Sequence, residues 1–286
     1  MRLREAADVA VAAQLACLLE ASAPKPGNVS PGRHFADTRY EHFLASAAAI
    51  GEPLAGAGGR AVGSTVRLAI EATARWTRSN TNLGIVLLLA PVARAARADQ
   101  PAGGLRAAIG DVLAATTVDD ACNVYAAIRR AAPGGLGQAK AQDVADEPTL
   151  PLLDVMRLAA HRDGIAREYD STFEVTFEIG VPALDAARRD GLPWDEAVVE
   201  TFLTLLAASP DTHIVRRAGE EVAAGVSRLA RATLEAGGVR SDLGRRALEE
   251  MDVELRDAGH AKNPGTTADL TAAAIFVMLL GGAWRG

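Results

Sequence analysis

Apolar residues recur three and four positions apart along most of this chain, the spacing that places them on one face of a helix. The first segment, 3–21, shows the pattern and contains few β-branched residues, as expected for a helix. The same pattern predicts further helices over 38–50, 61–78, 83–98, 104–114, 118–132, 149–161, 194–208, 216–236, 242–257 and 267–282. The connections are short and rich in Gly, Pro, Asp and Asn. We therefore predict a single all-α domain over 1–286, built of about ten or more helices.

One segment departs from the helical pattern. The stretch "FEVTFEIGV" (173–181) alternates apolar and polar residues with the period of a strand. However, Ser171 and Glu174 have the spacing of a helix capping box, and no comparable strand exists elsewhere to pair with this one. We therefore predict a helix here, in which Glu174 and Glu178 lie one turn apart on the same face.

The composition agrees with a globular protein that has no general affinity for nucleic acids. Of the 286 residues, 49% are hydrophobic and 23% are charged. The formal net charge of −6 argues against a broad nucleic-acid-binding surface, but it is compatible with a local basic pocket. Cys17 and Cys122 lie in alanine-rich segments without metal-ligand spacing, which favours buried thiols in a reducing cytoplasm.

Membrane insertion and secretion are not indicated by the sequence. The longest apolar runs, 83–93 and 270–284, are shorter than the roughly 20 residues needed to span a bilayer. The first twenty residues carry Glu5, Asp8 and Glu20 and no uninterrupted apolar block, which is unlike a secretory signal. We expect a soluble, cytoplasmic protein without a membrane or nucleic-acid partner, and we leave open whether it is a homodimer.

Five polar islands interrupt the alanine-rich background, at 21–37, 79–84, 173–182, 209–219 and 262–276. In three of them, a run of Asn, Thr, Ser, Gly or Asp meets the first turn of an apolar helix. Such a junction presents unpaired backbone amides and the positive end of the helix dipole, which favour a phosphate or carboxylate. The same residue types also serve as simple N-caps worth about 1 kcal/mol each, and both Asp211 and Asp269 are open to that interpretation.

Charged residues beside the islands point to a nucleotide. Lys25, Arg216 and Arg217 are suited to a polyphosphate, because ammonium and guanidinium groups bind phosphate oxygens. Carboxylates that could hold Mg²⁺ directly or through its waters are supplied by Glu71, Glu174, Glu178, Asp211 and Asp269. Together the two patterns describe a site for a magnesium–nucleotide complex.

The islands, in this order, resemble the triphosphoribosyl-dephospho-CoA synthase family over nearly the whole chain. The resemblance is carried by "PKPGNVS" (24–30), by Glu71 with "NTNLG" (80–84), and by "FEIGVP" (177–182), "DTHIVRRAG" (211–219) and "PGTTADL" (264–270). It implies an all-helical, ATP-using transferase of cofactor biosynthesis. Such an enzyme cleaves the bond between adenine and ribose in ATP and transfers the 5-triphosphoribosyl group to a hydroxyl of dephospho-CoA.

The resemblance also implies roles for individual residues, although the carboxylates could exchange theirs. The triphosphate is expected to contact the cations Lys25, Arg216 and Arg217 and the motif residues Gly27, Asn28, Asn80, Thr81, Asn82, Thr212, Gly265, Thr266 and Thr267. Mg²⁺ or its waters are assigned to Glu71, Asp211 and Asp269. Either His34 or Asp37 is the candidate base for the acceptor hydroxyl, and Glu174 and Glu178 are candidates for stabilising the ribosyl cation.

The chain also departs from the family pattern. His34 and Asp37 are one position further apart than in the family, and Asn82 and Leu83 stand where the family has a histidine and a lysine. His213 and Arg216 stand where the family more often has an amide side chain and a histidine. These differences leave two alternatives open. One is a ribosyl-phosphate transferase that acts on a precursor of a one-carbon carrier such as tetrahydromethanopterin, and the other is a non-catalytic nucleotide-binding protein.

Overall fold

A computed structural model describes residues 5–98, 101–257 and 259–285. The described residues form helices and loops, and the one extended feature among them is an isolated bridge between Ser30 and Arg33. The predicted all-α class is therefore confirmed. The chain divides into two compact units. Among the described residues, unit 1 comprises 5–18, 41–98, 101–174 and 276–285, and unit 2 comprises 19–40, 175–257 and 259–275. The predicted single domain stays a prediction.

Unit 1 contains the first part of α1 and most of the following eight helices. Their bounds are α1 (Ala6–Ser22), α2 (Tyr40–Ala49), α3 (Gly51–Ala55), α4 (Val62–Thr73), α5 (Leu83–Arg97), α6 (Gly104–Ala114), α7 (Val118–Ala131), α8 (Leu152–Ala159) and α9 (Gly164–Ser171). Helix α5 supplies much of its core, because Val86, Leu88 and Leu89 are fully buried. The apolar run 83–93 is thus a core helix of this unit.

The contact between α4 and α7 in unit 1 depends on a glycine. The backbone amide of Gly63 donates to Asp120 Oδ1 at 2.7 Å. A Cβ atom on Gly63 would lie 2.2 Å from the backbone oxygen of Asp120, which is far closer than real contacts allow. Asp120 also completes a capping box with Thr117 at the start of α7. One aspartate therefore begins α7 and joins it to α4.

Unit 2 contains the end of α1 and the helices from α10 onward. Their bounds are α10 (Val181–Arg189), α11 (Trp194–Ala208), α12 (Thr212–Ala218), α13 (Glu220–Glu235), α14 (Asp242–Leu255) and α15 (Gly265–Leu280), of which the last residues belong to unit 1. Helix α11 packs against α10 and α13. Four of the helices shorter than ten residues, α3, α9, α10 and α12, were not predicted separately, because brief segments carry little periodicity.

The ambiguous segment 173–181 contains no strand, in agreement with the helix prediction. Thr172 and Phe173 have left-handed backbone angles (φ 54° and 59°), and a new helical run begins at Glu174, whose amide donates to Ser171 Oγ at 3.3 Å. This is half of the predicted capping box. Residues Thr176–Gly180 then form a single turn of π-helix. Such turns occur frequently at functional sites.

Two further expectations can be compared with the described residues. None of the helices in these residues is both long enough and apolar enough to cross a bilayer. Cys17 is buried as expected, whereas Cys122 is half-buried, and neither is in a disulfide.

Candidate functional site

Lys25, in the loop that follows α1, is completely buried. Its ammonium group forms an ion pair with Glu20 Oε1 at 2.9 Å, donates to the backbone oxygen of Glu20, and lies 3.3 Å from the backbone oxygen of Ala23. An ammonium group has three hydrogens, and these three acceptors account for them. Lys25 therefore satisfies carbonyls at the carboxyl end of α1. This structural role was not predicted, and the contact of Lys25 with phosphate stays a prediction.

The same loop is held by Asp252 of α14 and by Arg256, the residue that directly follows this helix. Asp252 Oδ1 accepts the amide of Gly27 at 2.8 Å, and its Oδ2 accepts Arg33 Nη1 at 3.0 Å and Arg256 Nε at 2.8 Å. Arg256 also donates through Nη2 to the backbone oxygen of Asn28 at 2.6 Å. These contacts hold the loop at Gly27, Asn28 and Arg33, and so they fix the path of "PKPGN" relative to α14.

Gly27 itself is required by a close approach within unit 2. Its φ of +75° is unfavourable for other residues, and an added Cβ would lie 2.9 Å from Leu255 Cβ and 3.1 Å from Pro264 Cδ. The glycine lets this loop lie directly against the end of α14 and the residue that precedes α15.

Asn263 links the first and the last polar islands. Its side-chain oxygen accepts Asn28 Nδ2 at 2.9 Å, and its backbone oxygen lies 2.9 Å from Nδ1 of His213. Because the second partner is a carbonyl, Nδ1 of His213 carries the hydrogen. An added Cβ on Gly265 would come within 3.0 Å of the same ring nitrogen, so the imidazole fits against the start of α15.

Asp211 joins the fourth island to the fifth. Its Oδ1 accepts the backbone amides of His213 and Ile214 at 2.8 and 3.1 Å, which caps α12. Its Oδ2 accepts both the amide and the hydroxyl of Thr267 at 2.7 Å. The carboxylate is 3% exposed and receives four hydrogen bonds. Of the two interpretations left open by the sequence, capping is the one observed, and metal ligation stays a prediction.

Two threonines add a second link between these islands. Thr212 Oγ1 and Thr266 Oγ1 are 3.1 Å apart, and both residues are buried. Asp269 is half-buried in the second turn of α15, which begins at Gly265, and so it is not the N-cap of that helix. The capping alternative for Asp269 is therefore wrong.

The remaining predicted residues of unit 2 are more accessible. Arg217 is exposed and donates to the backbone oxygen of Gly259 at 2.7 Å, and Arg216 is half-buried on the same helix. Glu178 is exposed within the turn of π-helix. His34 is half-buried and its Nδ1 accepts the amide of Tyr40 at 3.3 Å, whereas Asp37 is exposed.

In unit 1, the "NTNLG" island is built largely into the local packing. Asn82 is buried and donates through Nδ2 to Thr73 Oγ1 at 3.0 Å, while the buried hydroxyl of Thr81 contacts that of Ser46. Asn80 is exposed, and its side-chain oxygen accepts the amide of Leu83 at 3.2 Å at the start of α5. Glu71 and Glu174, both of unit 1, are exposed.

A ready-made magnesium site is not found among the described residues. The described residues contain no group of three or more His, Cys, Asp or Glu side chains arranged to hold a metal ion. Mg²⁺ is commonly held by one or two carboxylates together with substrate phosphates and waters. Of the carboxylates predicted for Mg²⁺, Asp269 in unit 2 is half-buried, and its contact with Mg²⁺ stays a prediction.

Sequence reasoning missed Glu20, Asp252, Arg256 and Asn263. Asp252 and Arg256 have the four-residue spacing of a helical ion pair, but this spacing is common on solvated helix faces and identifies no site. Asn263 lies inside the fifth island, directly before the "PGTTADL" motif. Its importance is visible only through its partners, which are 235 and 50 positions away along the chain.

The buried imidazole makes stability depend on pH. Burial lowers the pKa of His213 below its ordinary value of 6.5, although the bond to Asn263 and the charge of Asp211 act in the opposite direction. As the pH falls through about 6.5, His213 becomes protonated in the unfolded chain but stays neutral in the folded chain. The free energy of unfolding therefore decreases in this pH range. We expect wild type to lose more stability than His213→Gln between about pH 7.5 and about pH 5.5 in urea denaturation. His161→Gln changes an exposed histidine and should show the same loss of stability as wild type. Equal pH dependence of the three proteins would contradict the role given to His213.

The comparisons with known proteins agree with this description. Residues 6–286 match the family described as ATP:dephospho-CoA triphosphoribosyl transferase. A relative from Stutzerimonas stutzeri, named as a candidate 2-(5''-triphosphoribosyl)-3'-dephosphocoenzyme-A synthase, is 35% identical over 114 residues, which are 40% of this chain and 39% of the relative. A relative of the same name from Pseudomonas aeruginosa is 36% identical over 110 residues, or 37% of each chain. The alignments thus span about two fifths of these curated relatives.

A solved structure extends the similarity. The crystal structure of a candidate triphosphoribosyl-dephospho-CoA synthase from Archaeoglobus fulgidus matches this chain with a TM-score of 0.65 and 28% sequence identity. The alignment covers 84% of this chain and 99% of the Archaeoglobus chain. The family match spans nearly the whole sequence and includes all five motifs. The chain belongs to the ATP:dephospho-CoA triphosphoribosyl transferase family.

Proposed function

We propose that this protein transfers the 5-triphosphoribosyl group of ATP to a ribose hydroxyl of dephospho-CoA. The bond between the ribose C1′ and the adenine nitrogen breaks, and a bond from C1′ to the acceptor oxygen forms. The hydroxyl proton is removed, and adenine leaves with one proton gained at the nitrogen that held the sugar. The acceptor is the one that the family description names, dephospho-CoA, and we propose it in preference to a one-carbon carrier.

The observation that carries this proposal is that the first, fourth and fifth polar islands are joined by direct hydrogen bonds in unit 2. Asn28 of the first motif bonds to Asn263, immediately before the last motif. Asp211 and Thr212 of the fourth motif bond to Thr267 and Thr266 of the last. Residues far apart in the sequence thus form one polar network, most of which is buried, and this network fixes the segments that carry the more accessible motif residues.

The more accessible motif residues of unit 2 are proposed to contact the substrates. Arg216 and Arg217 are the candidate phosphate contacts, since guanidinium groups bind phosphate oxygens with paired hydrogen bonds. Mg²⁺, when it enters with ATP, neutralises phosphate charge, and Asp269 is the candidate carboxylate for it. Glu178 is the candidate group for stabilising positive charge on the ribosyl ring, and Glu174 keeps that role as an alternative. Lys25, Gly27 and Asp211 are proposed to shape the loops.

The geometry of His34 favours Asp37 as the base. Because Nδ1 of His34 accepts the Tyr40 amide, the hydrogen of the neutral ring is on Nε2, which then donates and cannot accept a proton. We expect Asp37→Asn to lower kcat by about 10²-fold or more, the usual worth of a general base, with unchanged melting temperature. His34→Gln should have a much smaller effect. Steady-state kinetics would contradict the assignment if these two results were reversed.

The transfer itself is tested by adenine release. The protein is incubated with Mg²⁺-ATP, with and without dephospho-CoA, and free adenine is followed by chromatography. Adenine that appears only with the acceptor, together with a product heavier by one triphosphoribosyl group, supports the proposal. ATP binding without adenine under either condition would favour a non-catalytic nucleotide-binding protein. Absence of ATP binding would overturn the proposal altogether.

A further inference from the structure

A second basic surface lies in unit 1, on α4 and α7, which pack against each other. Arg67, Glu71 and Arg75 follow at four-residue intervals along α4 and the turn after it, and this spacing brings helical side chains together. Arg130 lies in the last turn of α7. These four side chains and two alanines of α7 line a surface cavity of about 520 Å³.

The cavity is positively charged in a protein that is negative overall. Its lining carries three guanidinium groups and one carboxylate, whereas the formal net charge of the chain is −6. Arg67 Nη1 is 3.9 Å from Glu71 Oε1, and both side chains are 45% exposed, so their attraction is weak. Within the residues that the structure describes, no ion pair holds the guanidinium group of Arg75 or that of Arg130.

The chemistry of the lining indicates the class of ligand. Guanidinium groups form paired hydrogen bonds with phosphate oxygens, and three of them around one concave surface can contact several phosphates at once. A volume of about 520 Å³ lies within the range of small-molecule sites and exceeds what one inorganic phosphate needs.

We propose that this cavity binds a small molecule bearing a chain of two or three phosphates, with Arg75 and Arg130 as its main contacts. Arg67 adds a third positive charge, and Glu71 offsets it only weakly. Neither Arg75 nor Arg130 has a role in the transfer proposed above. The shared chemistry is a polyphosphate, which could come from a nucleoside triphosphate or from inorganic triphosphate.

The test is binding of inorganic triphosphate, measured by isothermal titration calorimetry at low ionic strength. The double variant Arg75→Ala/Arg130→Ala should bind at least about tenfold more weakly than wild type, because two charge-assisted contacts are lost. If the candidate site of unit 2 also takes triphosphate, the double variant should instead lose one of two binding sites per chain. A parallel titration with ATP distinguishes the two sources, since a nucleotide site should favour ATP over the bare triphosphate.

The control removes the same charge elsewhere in unit 1. Arg78 and Arg162 are exposed and do not line the cavity, so Arg78→Ala/Arg162→Ala should bind triphosphate as wild type does. Absence of binding to wild type, or equal losses in both double variants, would overturn the proposal. The readout needs neither acceptor nor turnover. Its failure therefore leaves the adenine-release assay unaffected, and failure of adenine release leaves this binding result unaffected.

Discussion

Replacement of Lys25 by methionine is expected to lower the free energy of unfolding by about 3–5 kcal/mol. The substitution removes one member of a completely buried ion pair, so that the Glu20 carboxylate, 3% exposed, loses its cation. Two backbone oxygens near the end of α1 lose a donor at the same time. Urea denaturation followed by circular dichroism measures the loss.

Two matched variants make this result specific. Lys140→Met applies the same substitution to an exposed lysine and should leave stability nearly unchanged. The double variant Glu20→Leu/Lys25→Met should recover much of the loss, because apolar replacement of both buried charges is often neutral. If Lys25 instead contacts phosphate directly, Lys25→Met would raise the KM for ATP and leave the unfolding curve where it is.

Replacement of Asp211 by alanine is expected to destabilise the protein by about 3 kcal/mol or more. The change removes the cap of α12 and leaves the amide and hydroxyl of Thr267 without their acceptor in a buried position. Thr267→Val, which removes only the hydroxyl, should cost about 1 kcal/mol. Thermal and urea unfolding of the three proteins would reveal this order.

Asp269→Asn is the matched comparison for Asp211. We expect this variant to lose turnover while keeping the melting temperature of wild type, since Asp269 is not the cap of α15. If Asp211→Ala unfolded like wild type and lost only Mg²⁺-dependent ATP binding, then Asp211 would be a metal ligand and the stability prediction would be wrong.

These predictions change the meaning of the first polar island. The family resemblance implies that Lys25, Gly27 and Asn28 of this loop contact the triphosphate. Its lysine and glycine are used to fix the loop against the end of α1 and against α14. The two candidate bases, the half-buried His34 and the exposed Asp37, follow this fixed part. Rigid support of this kind is what a catalytic group needs for accurate placement.

The sequence by itself determined the all-α class, most long helices and the family. Helical periodicity depends on neighbours three and four positions away, so it can be read directly from the chain. It also determined which motifs to examine, because five polar islands in a fixed order are visible without coordinates. It could not decide whether Lys25 and Asp211 bind a ligand or hold the fold, since both roles use the same polar groups.

Only the tertiary structure decided which partners satisfy these groups. Asp252 is 225 positions from Gly27, and Thr267 is 56 positions from Asp211, so no local pattern connects them. A buried polar group must find a partner, and packing brings that partner from anywhere in the chain. The arginine-lined cavity of unit 1 arose in the same way, because Arg75 and Arg130 lie 55 positions apart and meet through the contact of α4 with α7.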